Sequence, residues 1–199
     1  FNPVWANDIS EQKAAVYTAN FGKEHFVLDD IKNIKGTEIP YANMSWASFP
    51  CQDLSLAGSL GGIHASRSGL VWEWLRILDE MVEQPKILAV ENVTGLLSTN
   101  DGENYSVLHH AFIKRNYRCG VIVINASCFV PQSRPRVFII AVKKGYKIPD
   151  SLIGTGPCWL HNKAATELGT RLPDWIWWNT DKPPHRNQTV KDIVERDVP

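Results

Sequence analysis

A chain of 199 residues carrying 21 lysines and arginines against 21 aspartates and glutamates has no net charge, so it lacks the overall basic footprint of a self-sufficient nucleic-acid binder. Its length suffices for one sizeable α/β domain, and no apolar run approaches the roughly 20 residues of a membrane-spanning helix. Four cysteines with no Cys-x-x-Cys pair or zinc spacing argue against a disulfide scaffold and a metal site, and favour a reducing, intracellular setting.

Along the chain, apolar runs alternate with helical patterns, as expected for a mostly parallel sheet with helices on both faces. The sequence opens without methionine on Val4-Trp5-Ala6, a strand ending at Asn7-Asp8, which suggests a piece of a longer protein and shows no secretory leader. Ser10 is placed to cap a helix through Ala14, Ala15, Tyr17 and Thr18, closed by Phe21-Gly22. Residues 44–49 form the next strand. Glycines 58, 61 and 62, interspersed with Ser59, His64 and Ser66, make the following loop a candidate lid.

From 69 to 82 the apolar positions Leu70, Val71, Trp74, Ile77, Leu78 and Met81 recur at helical spacing. A strand at 87–90, a helix over about 105–114 and a hairpin-like pair at 117–125 and 136–142 follow. Cys119 and Cys128 flank Val121-Ile122-Val123-Ile124 and read as small core residues, Cys158 as structural. Beyond Gly145, prolines at 149, 157, 173, 183, 184 and 199 favour a winding connector. Within it, Trp175-Ile176-Trp177-Trp178 is expected to pack on the main sheet or on a further domain.

Three chemically distinct segments fall at strand ends, where open α/β sheets bind their ligands. Pro50-Cys51-Gln52 sets a thiol between a strand and the glycine-rich loop; Glu91-Asn92-Val93 follows the run Ile87-Leu88-Ala89-Val90; and Gln132-Ser133-Arg134-Pro135-Arg136 precedes Val137-Phe138-Ile139-Ile140-Ala141-Val142. In this order they resemble the Pro-Cys-Gln, Glu-Asn-Val and Gln-x-Arg-x-Arg motifs of the DNA (cytosine-5)-methyltransferases. The resemblance extends from Asn7 to about Val142, and more faintly to Thr189-Val190-Lys191-Asp192-Ile193.

The resemblance implies a Rossmann-like fold dependent on S-adenosyl-L-methionine and acting on duplex DNA. Cys51 would be the nucleophile and Glu91 the carboxyl group at the cytosine N3 and amine. Arg136 would contact the cytosine O2, with Arg134 and Gln132 organising the loop or touching phosphate. Gln52 and Ser55 would be further DNA contacts. The first strand ends at Asp8, which matches the ribose-binding acid, and Ile9 would lie against adenine. Asp30 in Asp29-Asp30-Ile31 would take the adenine amine, with Ile31, Pro50 and Leu70 completing the pocket.

On the same basis residues 1–145 would be an incomplete catalytic core. Residues 146–199 would be a connector to a target-recognition region. The family's Phe-x-Gly-x-Gly-Gly turn is not found, so these 199 residues alone are expected to be weakly active or inactive. A cognate restriction endonuclease is a possible partner, and the cytoplasm of a bacterium or a virus-infected host cell the expected location. Three alternatives remain: a tRNA cytosine-5 methyltransferase, whose Cys-Phe-Thr signature is not seen; a non-catalytic DNA- or partner-binding module; and a nicotinamide-dependent oxidoreductase, which would need a Gly-x-Gly-x-x-Gly not present here.

Overall fold

The computed structural model describes residues 2–50, 69–184 and 189–194. Its contacts divide the chain into two compact units, Phe1–Ile87 and Leu88–Pro199.

In the first unit, β1 (Ala6–Asp8) and β2 (Phe26–Leu28) pair in parallel, with Ala6 opposite Phe26 and Asp8 opposite Leu28. Between them runs α1 (Glu11–Phe21). Ser10 caps it, its Oγ accepting from the Lys13 amide, and Gly22 closes it at φ 81° with its amide donating to the Thr18 carbonyl. Tyr17 anchors α1 on the strand pair through a tilted ring contact with Phe26, centroids 5.0 Å apart, and a 2.9 Å hydrogen bond between its hydroxyl and His25 Nε2. β3 (Met44–Ser48) and α2 (Leu70–Glu80) complete the unit. Of the helically spaced residues read from the sequence, Val71, Trp74, Ile77 and Leu78 are buried in α2, joined by Trp72 and Leu75, while Leu70 and Met81 are half-buried. Trp74 Nε1 also donates to Ser45 Oγ of β3 at 3.0 Å.

In the second unit the strands lie in the order β4 (Ile87–Asn92), β6 (Pro135–Lys143), β5 (Tyr117–Asn125). Leu88, Ala89 and Val90 are buried in succession, so β4 is covered on both faces, as its unbroken apolar run requires. The hairpin expected from the sequence is present: β5 and β6 pair antiparallel from Tyr117 opposite Lys143 to Asn125 opposite Pro135. The strands are therefore of mixed orientation, parallel in β1–β2 and antiparallel in β5–β6. α3 (Glu103–Lys114) precedes β5 and buries Tyr105, Leu108, Ala111 and Phe112.

The stretch after Gly145 is more ordered than its prolines suggest. It contains α4 (Lys163–Arg171), capped by Asn162, whose side chain accepts from the Ala165 amide. Leu160, Ile176 and Trp178 are buried together with Val142, against Ile122, Ile124 and Ile140 of the hairpin. The tryptophan run thus packs on this sheet. A short helix, α5 (Val190–Ile193), carries a capping box between Thr189 and Asp192.

Backbone joins this stretch to β5. The Cys119 amide donates to the Asp174 carbonyl at 3.3 Å and the Ile176 amide to the Cys119 carbonyl at 3.0 Å. Buried His109 supports the joint: its Nε2 lies 2.7 Å from the Pro173 carbonyl, which can only accept, so Nε2 carries the proton. Nδ1 is left to accept from the Tyr105 hydroxyl at 3.3 Å and the Cys119 thiol at 3.0 Å. Burial lowers the His109 pKa and raises that of the Cys119 thiol, so both stay neutral. Cys119 is thus a core residue, as expected, whereas Cys128 is only half-buried.

Gly120 allows the chain segments to meet, because a Cβ there would overlap the Ile176 carbonyl. Gly120→Ala is expected to destabilise the protein by about 3 kcal/mol, at the upper end of overpacking costs, through displacement of backbone rather than a side-chain tip. A lowered urea midpoint would show it, and an unchanged midpoint would mean that the 174–176 segment does not depend on this approach.

Candidate functional site

Two of the residues singled out in the sequence meet in the second unit. β4 extends through Asn92, so Glu91 lies within the strand rather than beyond it. β6 begins at Pro135, where a residue without an N–H is tolerated, and Arg136 is its second residue. Because β4 and β6 are neighbours, Glu91 Oε1 and Arg136 Nε stand 2.8 Å apart. Their side chains are 23% and 20% exposed, enough enclosure to hold a fixed geometry and enough opening to receive a ligand. Arg136 is held a second time, with Nη1 donating to the Pro135 carbonyl at 2.9 Å.

Arg134 is placed differently. An i, i+2 spacing on one strand would put both arginines on one face. Arg134 instead lies before the strand begins, with an exposed side chain and an amide that donates to Asn125 Oδ1 at 2.8 Å. Gln132 is exposed in the same loop.

Asn125, which the sequence reading passed over, organises this loop. Its Oδ1 also accepts from the Ser127 amide at 3.1 Å, and its Nδ2 donates to Ser133 Oγ at 3.2 Å. One side chain therefore ties the end of β5 to the lead-in of β6. The available signal was an asparagine at a strand end just before Ala126-Ser127, a common Asx-turn setting.

The residues expected to face a cofactor lie in the first unit. Asp8 ends β1 opposite Leu28, so Asp8 and the pair Asp29-Asp30 stand at the carboxyl ends of adjacent parallel strands. Asn7 fastens those ends together, its Nδ2 donating to the carbonyls of Val27 at 3.0 Å and Asp29 at 2.9 Å. Asp8 Oδ1 accepts from the Ser10 amide at 2.9 Å, and Oδ2 pairs with Lys13 Nζ at 3.2 Å. Asp30 Oδ1 accepts from the Lys32 amide at 3.0 Å and opens a 3-10 turn over Ile31–Asn33.

Ile9, beside Asp8, is 66% exposed, an apolar surface next to a carboxylate. Ile31 is half-buried, Pro50 is exposed just past β3, and half-buried Leu70 opens α2. Cys51, Gln52 and Ser55 lie outside the described residues. Among the described residues no group of three or more His, Cys, Asp and Glu is arranged to hold a metal ion, and no helix is long and apolar enough to cross a membrane.

The fold is shared with solved methyltransferases. Dnmt2 of S. pombe superposes over 75% of this chain and 46% of its own with a TM-score of 0.56 at 22% identity. EhMeth of Entamoeba histolytica does so over 72% and 46%, with a TM-score of 0.54 at 24% identity. This is the α/β fold of S-adenosylmethionine-dependent methyltransferases.

The model of the C-5 cytosine-specific DNA methylases matches residues 1–198, and the chain belongs to that family. Similar curated proteins are the type II methyltransferase M.Bsp6I of Bacillus sp. (strain RFL6), 30% identical over 92% of this chain and 58% of its own length, and M.HhaI of Haemophilus parahaemolyticus, 30% identical over 73% and 43%. The chain thus spans about half the length of these relatives.

Proposed function

We propose that the full-length protein methylates C5 of cytosine in duplex DNA through a covalent adduct between Cys51 and C6 of a flipped-out base. The observation that carries this reading is the Glu91–Arg136 contact: two separate motifs converge on a half-open site at the ends of neighbouring strands. A carboxylate and a guanidinium held together suit the polar edge of a pyrimidine. Glu91 accepts from the exocyclic amine and, once protonated, donates to N3, and Arg136 donates to O2.

Cytosine C5 is a weak nucleophile. A thiolate at Cys51 bonds to C6 and moves electron density onto C5, while a proton from the Glu91 carboxyl group and the Arg136 guanidinium offset the charge that reaches N3 and O2. C5 then takes the methyl group, and the electron pair of the broken carbon–sulfur bond stays on the donor's sulfur. Loss of the C5 proton and expulsion of the thiolate restore the ring double bond and free Cys51. Extrusion of the base costs a few kcal/mol of stacking and pairing, which contacts in the pocket offset. Gln52 and Ser55 contact the opened DNA, and Gln132 and Arg134, in their exposed loop, serve its backbone.

When bound, S-adenosyl-L-methionine supplies an electrophilic methyl group on a sulfonium centre. The residues present suit its adenosine end, because Asp8 and Asp30 are brought side by side at adjoining parallel strand ends. Asp8 takes the ribose hydroxyls, Ile9 and Ile31 flank the adenine, Asp30 accepts from its amine, and Pro50 and Leu70 complete the walls.

Residues 146–199 lead toward a target-recognition region. The 199-residue segment by itself is weakly active or inactive. The enzyme works in the cytoplasm, alongside a cognate restriction endonuclease. Trapping tests the chemistry: incubated with S-adenosylmethionine and a duplex library containing 5-fluorocytosine, the full-length protein should form a denaturant-stable complex, because fluorine at C5 cannot leave as the proton does. A DNA-binding preparation that gives no such complex would refute the covalent mechanism.

A further inference from the structure

The turn that follows Asp30 is held from a distance by one side chain. Arg76, on α2, directs Nη2 at three carbonyls of this turn: Ile31 at 3.3 Å, Lys32 at 3.4 Å and Ile34 at 2.9 Å. Its other two nitrogens are occupied by acidic residues one helical turn to either side, Nε by Glu73 Oε2 at 2.8 Å and Nη1 by Glu80 Oε1 at 2.6 Å. These two pairs fix the plane and direction of the guanidinium. Glu80 also uses its second oxygen, Oε2, to accept from the Gly36 amide at 2.8 Å.

The arrangement demands a bare backbone at position 36, because a Cβ on Gly36 would overlap the Ile77 carbonyl and Glu80 Cβ. Residues 31–36 are therefore lashed to α2 at both ends. The lashing reaches Asp30 directly. The Ile31 carbonyl is one residue away, the Asn33 amide donates to the Asp30 carbonyl at 2.9 Å, and the Lys32 amide donates to the Asp30 carboxylate. Holding helix to loop would take one ion pair. Three carbonyls gathered on one nitrogen set the direction in which the turn presents Asp30 and Ile31.

We infer that Arg76 is a positioning residue for the cofactor, holding Asp30 and Ile31 where they recognise adenine and so setting both affinity and selectivity for the adenosine end. This rests on the reading that Asp30 accepts from the adenine amine. Lysine cannot replace arginine fully, since a single ammonium cannot hold two carboxylates and the turn at once.

The test uses the full-length protein and measures dissociation constants for S-adenosylmethionine and for its inosine analogue, in which a 6-oxo group replaces the amine. Arg76→Gln is expected to weaken S-adenosylmethionine by about tenfold, as for a lost hydrogen bond at a charged group, with kcat at saturating cofactor changed by less than about twofold. It should also erase most of the preference for the adenosine form, and Arg76→Lys should restore part of both effects.

Asp30→Ala separates the two readings. If it leaves the adenosine preference intact, the assignment of Asp30 to adenine is wrong. If it erases that preference while Arg76→Gln keeps both affinity and preference, the inference about Arg76 is wrong. A fall in kcat with unchanged affinity would likewise overturn it. Should Arg76→Gln fail to fold, the same criteria apply to Arg76→Lys.

Discussion

Glu91→Gln in the full-length protein is expected to lower methyl transfer to cytosine by about two to four orders of magnitude, the range associated with a positioned acid–base group. Glutamine matches the side chain in size but carries no charge to hold Arg136 and no proton to exchange with N3. In the structure Glu91 Oε1 meets Arg136 Nε at 2.8 Å, so the substitution both neutralises the carboxylate and releases its partner. Arg136→Gln should therefore lower activity through the same unit, and the double variant should lose much less than the product of the two single effects. Single-turnover incorporation of tritiated methyl groups into DNA measures all three. A Glu91→Gln enzyme within about threefold of wild type would remove this carboxyl group from the chemistry, since even weak acid–base catalysis exceeds that.

Cys51→Ser is expected to abolish the denaturant-stable complex with 5-fluorocytosine DNA and leave no measurable turnover, while the non-covalent complex with DNA persists. An unperturbed thiol is already about 3% thiolate at pH 7, and cysteine is intrinsically nucleophilic even so. A serine hydroxyl reaches no comparable population of anion near neutrality. Gel shift and denaturing electrophoresis on the same samples separate binding from bonding. An adduct that survives the substitution would assign the nucleophile to another residue.

Much of the architecture was legible because it is written in local patterns. The Ser10 cap, the Gly22 stop and the apolar face of α2 each depend on residues within a few positions of one another. Likewise β4 and the β5–β6 hairpin appear as apolar runs of strand length. α4 was missed because only Ala165 and Leu168 of its residues are buried, too few to mark a face among neighbouring prolines. The tryptophan run was expected to pack on the main sheet or on a further domain, and only the tertiary contacts put Ile176 and Trp178 on β5 and β6 and make that joint rely on Gly120 and His109.

The candidate site divides in the same way. From the sequence alone came the residue types, their order and their places near strand ends, together with the family those motifs resemble. Only the folded chain paired Glu91 with Arg136 while leaving Arg134 outside the strand, set Asp8 beside Asp29-Asp30, and revealed Asn125 and Arg76 as the side chains that brace the two loops. The physical reason is range. Periodicity and capping report on neighbours along the chain, whereas strand order and packing decide which distant side chains come within hydrogen-bonding reach.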